Sequence, residues 1–137
     1  MRWADQLIKL STFEVEILQK RLAEVVERRT RAEMRMAVLA AEGEAELMRA
    51  RTDAEAGWYL AAFNGGLKLR KAAVQDEIDR TTAEEAGARD ALSEAFETLK
   101  KYEHVAEGAR IAEAKEERRR EGVVLDELGL RQAVARR

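Results

Sequence analysis

The sequence predicts an all-α fold, a long antiparallel two-helix coiled-coil hairpin, and three observations carry that prediction. The 137 residues contain no proline, the residue that breaks helix interiors. Charged residues make up 38%, well above the ~25% of ordinary globular domains, while aromatics are only 5%. Apolar residues recur at alternating steps of three and four along most of the chain, which is the heptad signature. A β-sandwich or barrel, with its many turns, is excluded. So is a disulfide scaffold, since cysteine is absent, and a cysteine-free chain suits a reducing compartment.

Helix one is expected over about residues 4–51. Its seam runs Ala4, Ile8, Ser11, Val15, Leu18, Leu22, Val25, Arg29, Ala32, Met36 and Leu39, with polar interruptions at Ser11 and Arg29. A charge at a seam position serves either to fix the pairing register or to meet an acidic partner. Helix two continues to about 131, with a seam of Leu67, Lys71, Val74, Ile78, Thr81, Glu85, Ala88, Leu92, Ala95, Leu99, Tyr102, Ala106 and Ala109. Acid-to-base pairs four residues apart, among them Glu16–Lys20, Glu24–Arg28, Glu27–Arg31, Glu85–Arg89 and Glu116–Arg120, report solvated helix faces.

The reversal falls within 52–66. Asn64-Gly65-Gly66 is the stronger local breaker. Thr52-Asp53-Ala54-Glu55 has the spacing of a capping box, with Gly57 following. Packing favours the second site: a turn there sets Val15 opposite Ala95, Leu18 opposite Leu92 and Ile8 opposite Tyr102, so strong core meets strong core. Helix two then overhangs helix one. Beyond the polar stretch 113–122, the run Val123-Val124-Leu125-Asp126-Glu127-Leu128-Gly129-Leu130 is apolar again and reads as a docking element.

Chemistry is poorly represented. His104 is the only histidine and stands among Lys100, Lys101 and Glu103, so it reads as a surface residue and not a general base. No nucleophile–base–acid set can be assembled, no Glu-x-x-His pair exists, and Gly65-Gly66 leads into no phosphate loop. The chain is therefore expected not to be an enzyme and to need no cofactor or metal. A net charge of −2 argues against nucleic acid as a partner. No apolar run approaches the ~20 residues of a membrane span, and no signal peptide is visible, so a soluble, cytoplasmic protein is expected. Phe96 and Tyr102 read as core. Trp58, Tyr59 and Phe63 cluster beside the reversal, where few residues of helix one remain to bury them, and Phe13 lies off the seam.

These residues resemble the flagellar export protein family FliJ, particularly its alphaproteobacterial versions. The similarity is carried by Leu7-Ile8-Lys9-Leu10-Ser11-Thr12-Phe13-Glu14-Val15-Glu16 at the start, Ala91–Lys101 in mid-chain, and Leu125-Asp126-Glu127-Leu128-Gly129-Leu130-Arg131 near the end. The resemblance implies a non-enzymatic component of the flagellar type III protein export apparatus, similar to the central stalk of rotary ATPases. It further implies binding and stimulation of a hexameric, FliI-like export ATPase at the end holding both termini, through Phe13, Leu125, Asp126, Glu127, Leu128, Leu130 and Arg131. At the other end it implies contact with an FlhA-like export-gate protein through Trp58, Tyr59, Phe63 and Leu67. Phe63 and Leu67 match the family's spacing of an aromatic and a leucine; Arg70 and Val74 depart from the small and polar residues expected next. Export chaperones are further implied partners, and the expected location is the cytoplasmic face of the membrane, reached only through partners. A holdase-type helical chaperone and a generic structural coiled-coil adaptor are the competing readings.

Overall fold

A computed structural model of the chain describes residues 2–53 and 55–136. Among these there is no strand. Two long helices, α1 (Arg2–Thr52) and α2 (Leu60–Ala135), are joined by a short 3-10 turn at Ala56–Tyr59. The helices run unbroken because nothing interrupts them: proline is absent and the eight glycines all keep negative φ. Asn64-Gly65-Gly66 lies inside α2 with ordinary helical backbone.

The chain instead reverses between Thr52 and Leu60, and the local chemistry differs from a capping box. The Thr52 hydroxyl donates back to the Met48 and Arg49 carbonyls, within the last turn of α1. The Asp53 carboxylate then accepts the Glu55 backbone N–H at 3.0 Å, an Asx turn. No side chain caps the 3-10 turn. The Glu55 amide that a capping box would direct to Thr52 is taken by Asp53, so the Asx turn wins.

The chain divides into two compact units: Glu16–Ser93, and Met1–Val15 with Glu94–Arg137. In the first, α1 and α2 pack antiparallel in the register centred between Asp53 and Tyr59. Arg28 faces Glu84, Arg35 faces Glu77, Glu42 faces Arg70, and Gly43 faces Leu67. The seam of this unit buries Val25, Ala32, Leu67, Thr81, Glu85 and Ala88. It contains no large side chain that is fully buried, because two helices alone cannot enclose one. Gly43 is required by this packing: a Cβ there would fall 2.7 Å from Leu67 Cδ2.

In the second unit Ala4, Ser11 and Val15 of α1 and Ala95 of α2 are buried. Ala4, Asp5 and Ile8 share a groove with Glu103, Ala106, Glu107 and Arg110. The Ser11 hydroxyl is buried without a hydrogen-bond partner. Phe96 departs from the expected core role. It lies one position past the seam residue Ala95, and its ring is partly exposed on the surface. Tyr102 is half-buried.

Candidate functional site

Two charged seam residues, Arg29 of α1 and Glu85 of α2, find each other. Arg29 of α1 donates through Nε to Glu85 of α2 at 2.7 Å and through a terminal nitrogen to Glu33 at 2.9 Å. Arg89 donates to the other Glu85 oxygen at 2.9 Å. Glu85 thus sits between two guanidinium groups, with only 11% of its side chain exposed. Hydrogen bonds from Arg89 and then Arg29 hold its carboxyl below the ordinary carboxylate range. Hydrogen bonds to Glu85 and Glu33 push the Arg29 guanidinium up in turn. Arg28–Glu84 lies beside this network as a second cross-helix pair, where sequence spacing suggested Glu24 as the partner of Arg28. Arginine at a seam position here satisfies an internal acid and sets register. The favoured register sets Arg29 opposite Thr81, one turn before Glu85, and the long arginine side chain spans that turn.

The aromatic cluster lies at the reversal. Trp58 is 84% exposed and packs edge-on against Tyr59, with ring centroids 5.9 Å apart. The Tyr59 hydroxyl donates to Glu46 at 3.0 Å, which ties the half-buried Tyr59 to α1 and leaves Trp58 projecting from a fixed base. Phe63 is half-buried. Leu67 is different. It is 6% exposed and occupied against Gly43, so it belongs to the seam and presents no side chain to a partner. Residues four apart share a helix face, so the difference lies along the axis: one turn further from the reversal, Leu67 meets Gly43 of α1.

In the unit of the termini the exposed large apolar residues include Trp3, Leu10 and Phe13 of α1, and Val105, Ile111 and the run Val123, Val124, Leu125, Leu128, Leu130 and Val134 of α2. Asp126, Glu127 and Arg131 are exposed among them. No residue of α1 stands opposite this stretch, because α1 is already at its first residues against Glu103–Arg110. Just before it, Arg119 and Arg120 bind Glu116, and the hydrogen bonds from Arg119 lower the Glu116 carboxyl. His104 is exposed. Among the described residues no cluster of three or more acidic, histidine or cysteine side chains is placed to hold a metal ion, and no helix is long and apolar enough to cross a membrane.

The comparison with curated proteins is decisive. The "Flagellar FliJ protein" of Caulobacter vibrioides strain NA1000 / CB15N is 54% identical to this chain over 132 residues, covering 96% of the chain and 95% of that protein. The chain belongs to the flagellar FliJ family. The protein of the same name from Caulobacter vibrioides strain ATCC 19089 / CIP 103742 / CB 15 matches to the same extent. No family model and no solved structure matches the chain. Membership in the FliJ family makes this a flagellar protein, and it directs attention from catalytic chemistry to the exposed apolar surfaces.

Proposed function

We propose that this FliJ-family chain is a non-enzymatic, stalk-like component of the flagellar type III export apparatus, which binds and stimulates a hexameric export ATPase and contacts the export-gate protein. The observation that carries the proposal is the exposed apolar run Val123–Leu130 on a helix with no intramolecular partner, in a chain of a flagellar family. Apolar side chains displayed in this way are stabilised by burial elsewhere, at roughly 25 cal/mol per Å2 of area removed from water. The ATPase-facing set is Phe13, Leu125, Leu128 and Leu130, with Asp126, Glu127 and Arg131 supplying polar rim contacts. The gate-facing set is Trp58, Tyr59 and Phe63, with Leu67 supporting them from the seam. Its site of action would be the cytoplasmic face of the membrane, reached through these partners.

The test is a double variant, Leu125→Ala with Leu128→Ala, assayed with the cognate export ATPase. Stimulation of ATP hydrolysis should be lost, since truncating a buried interface anchor costs about 2 kcal/mol, roughly thirtyfold in affinity. Helicity should be unchanged. ATP hydrolysis by the purified chain alone, or a double variant that stimulates normally, would contradict the proposal. A general holdase is distinguished by its ability to keep unrelated unfolded proteins from aggregating.

A further inference from the structure

Helix α1 has a second heptad seam that α2 does not cover. Within the Glu16–Ser93 unit, Met34, Val38, Ala41, Ala45 and Met48 follow steps of four, three, four and three, and all five are exposed. Met34 is 63%, Val38 57% and Met48 62% exposed. At 100° per residue this stripe lies on the side of α1 turned away from buried Val25 and Ala32 and from Gly43, which faces Leu67. The outward side of α2 serves as an internal comparison: there Asp76, Arg80 and Asp90 interrupt the same positions. Solvated helices look like α2. Helix α1 is apolar on both sides over two full heptads.

We infer that this outer stripe docks one amphipathic helix of another protein, with bulky apolar residues set over Ala41 and Ala45. Two features of the stripe select that occupant. The small central side chains leave room for large knobs, and methionine at each end adapts to whatever flanks them. The rims add charge. On one rim Arg35, Glu42 and Arg49 are already paired with Glu77, Arg70 and Glu46. On the other, Glu44 and Arg51 take no part in those pairs and stand one heptad apart. The matching helix carries a base beside Glu44 and, a heptad along, an acid beside Arg51.

A second copy of this chain fits poorly. Self-pairing would place Ala41 and Ala45 against alanines and, in the antiparallel orientation, Glu44 against Glu44. A helix with large residues at the centre fills the hollow that a copy leaves empty.

The experiment places a photo-activated cross-linking residue, p-benzoylphenylalanine, at Val38 or Ala41 of the full chain, in cells that naturally produce it. Ala83, exposed on the outward side of α2, is the control position. The expected result is an adduct at Val38 and Ala41 at least tenfold stronger than at Ala83. Its cross-linked peptide, sequenced by mass spectrometry, should be a heptad with bulky apolar residues and a base and an acid seven residues apart. Adding Ala41→Glu to the Val38 probe should abolish the adduct while circular dichroism of the purified chain is unchanged. An adduct to a second copy, an adduct peptide without the heptad pattern, or a yield no higher than at Ala83 would overturn the inference.

Discussion

Replacing Gly65 and Gly66 together by alanine should stabilise the protein, and the structure gives both sign and size. Both glycines lie inside α2 with negative φ, and a Cβ built on either meets no atom within 4 Å. Neither packing nor backbone conformation therefore requires glycine in this fold. Each substitution restricts the unfolded chain and favours the helix by about 0.5–1 kcal/mol, hence about 1–2 kcal/mol for the pair. For a chain of this size that corresponds to a rise in Tm of about 4–8 °C, read by thermal circular dichroism. Gly43→Ala is the matched control. It receives the same helical gain, but its Cβ falls 2.7 Å from Leu67 Cδ2, and overpacking of a filled seam costs about 1–3 kcal/mol. It should leave Tm unchanged or lower it. A fall in Tm for the Gly65/Gly66 variant would refute the reasoning, because it would mean that the chain turns at Asn64–Gly66 with backbone angles alanine cannot adopt.

Leu67→Ala should lower stability by about 2–4 kcal/mol in urea titrations, as for a core leucine, whereas Trp58→Ala should leave the melt unchanged and weaken gate-protein binding only. The Glu85 carboxyl titrates below its unfolded value, so its contribution is present above the ordinary carboxylate pKa and is lost as pH falls through the lower folded value. Glu85→Gln should therefore be less stable than the parent near pH 7, and the difference should close on acidification below about pH 4; a gap that persists there would disconnect Glu85 from the arginines. Leu125→Ala with Leu128→Ala should leave the melting temperature within about 1 °C of the parent, since neither residue has an intramolecular neighbour across the seam; a sharp fall would place both inside the fold.

Much of the fold was legible because two-helix packing follows from periodicity. Every residue assigned to the seam in Ala4–Leu39 and Leu67–Ala109 is buried or half-buried. The register was legible too, because matching strong core to strong core discriminates between alignments that local turn signals do not. Local chemistry misled where several hydrogen-bond partners compete. Thr52 has the right spacing for a capping box, but a hydroxyl at a helix end also reaches the preceding carbonyls, and here it does. Phe96 shows how finely burial depends on angle, and Leu67 how it depends on distance from the reversal. One position off the seam leaves Phe96 partly exposed, while a single turn past Phe63 buries Leu67. The Arg29–Glu85 contact was hidden because each charge, taken alone, weakens the seam; only their juxtaposition makes them compatible with it.

The small side chains of the seam also shape how the protein responds to temperature. Heat capacity change on unfolding scales with the apolar surface newly exposed to water, at ≈ +0.45 cal/mol/K per Å2, and polar exposure subtracts from it. The buried part of the seam is alanine, valine, serine, threonine, one leucine and a glutamate bound to arginine, while its larger apolar side chains stay half-exposed, so it newly exposes little apolar surface when it melts. Its heat-capacity increment per residue accordingly falls below the ~12–15 cal/mol/K of ordinary globular domains. The stability curve flattens with it. With less curvature, stability keeps rising as the chain is cooled, and cold denaturation is pushed to lower temperature.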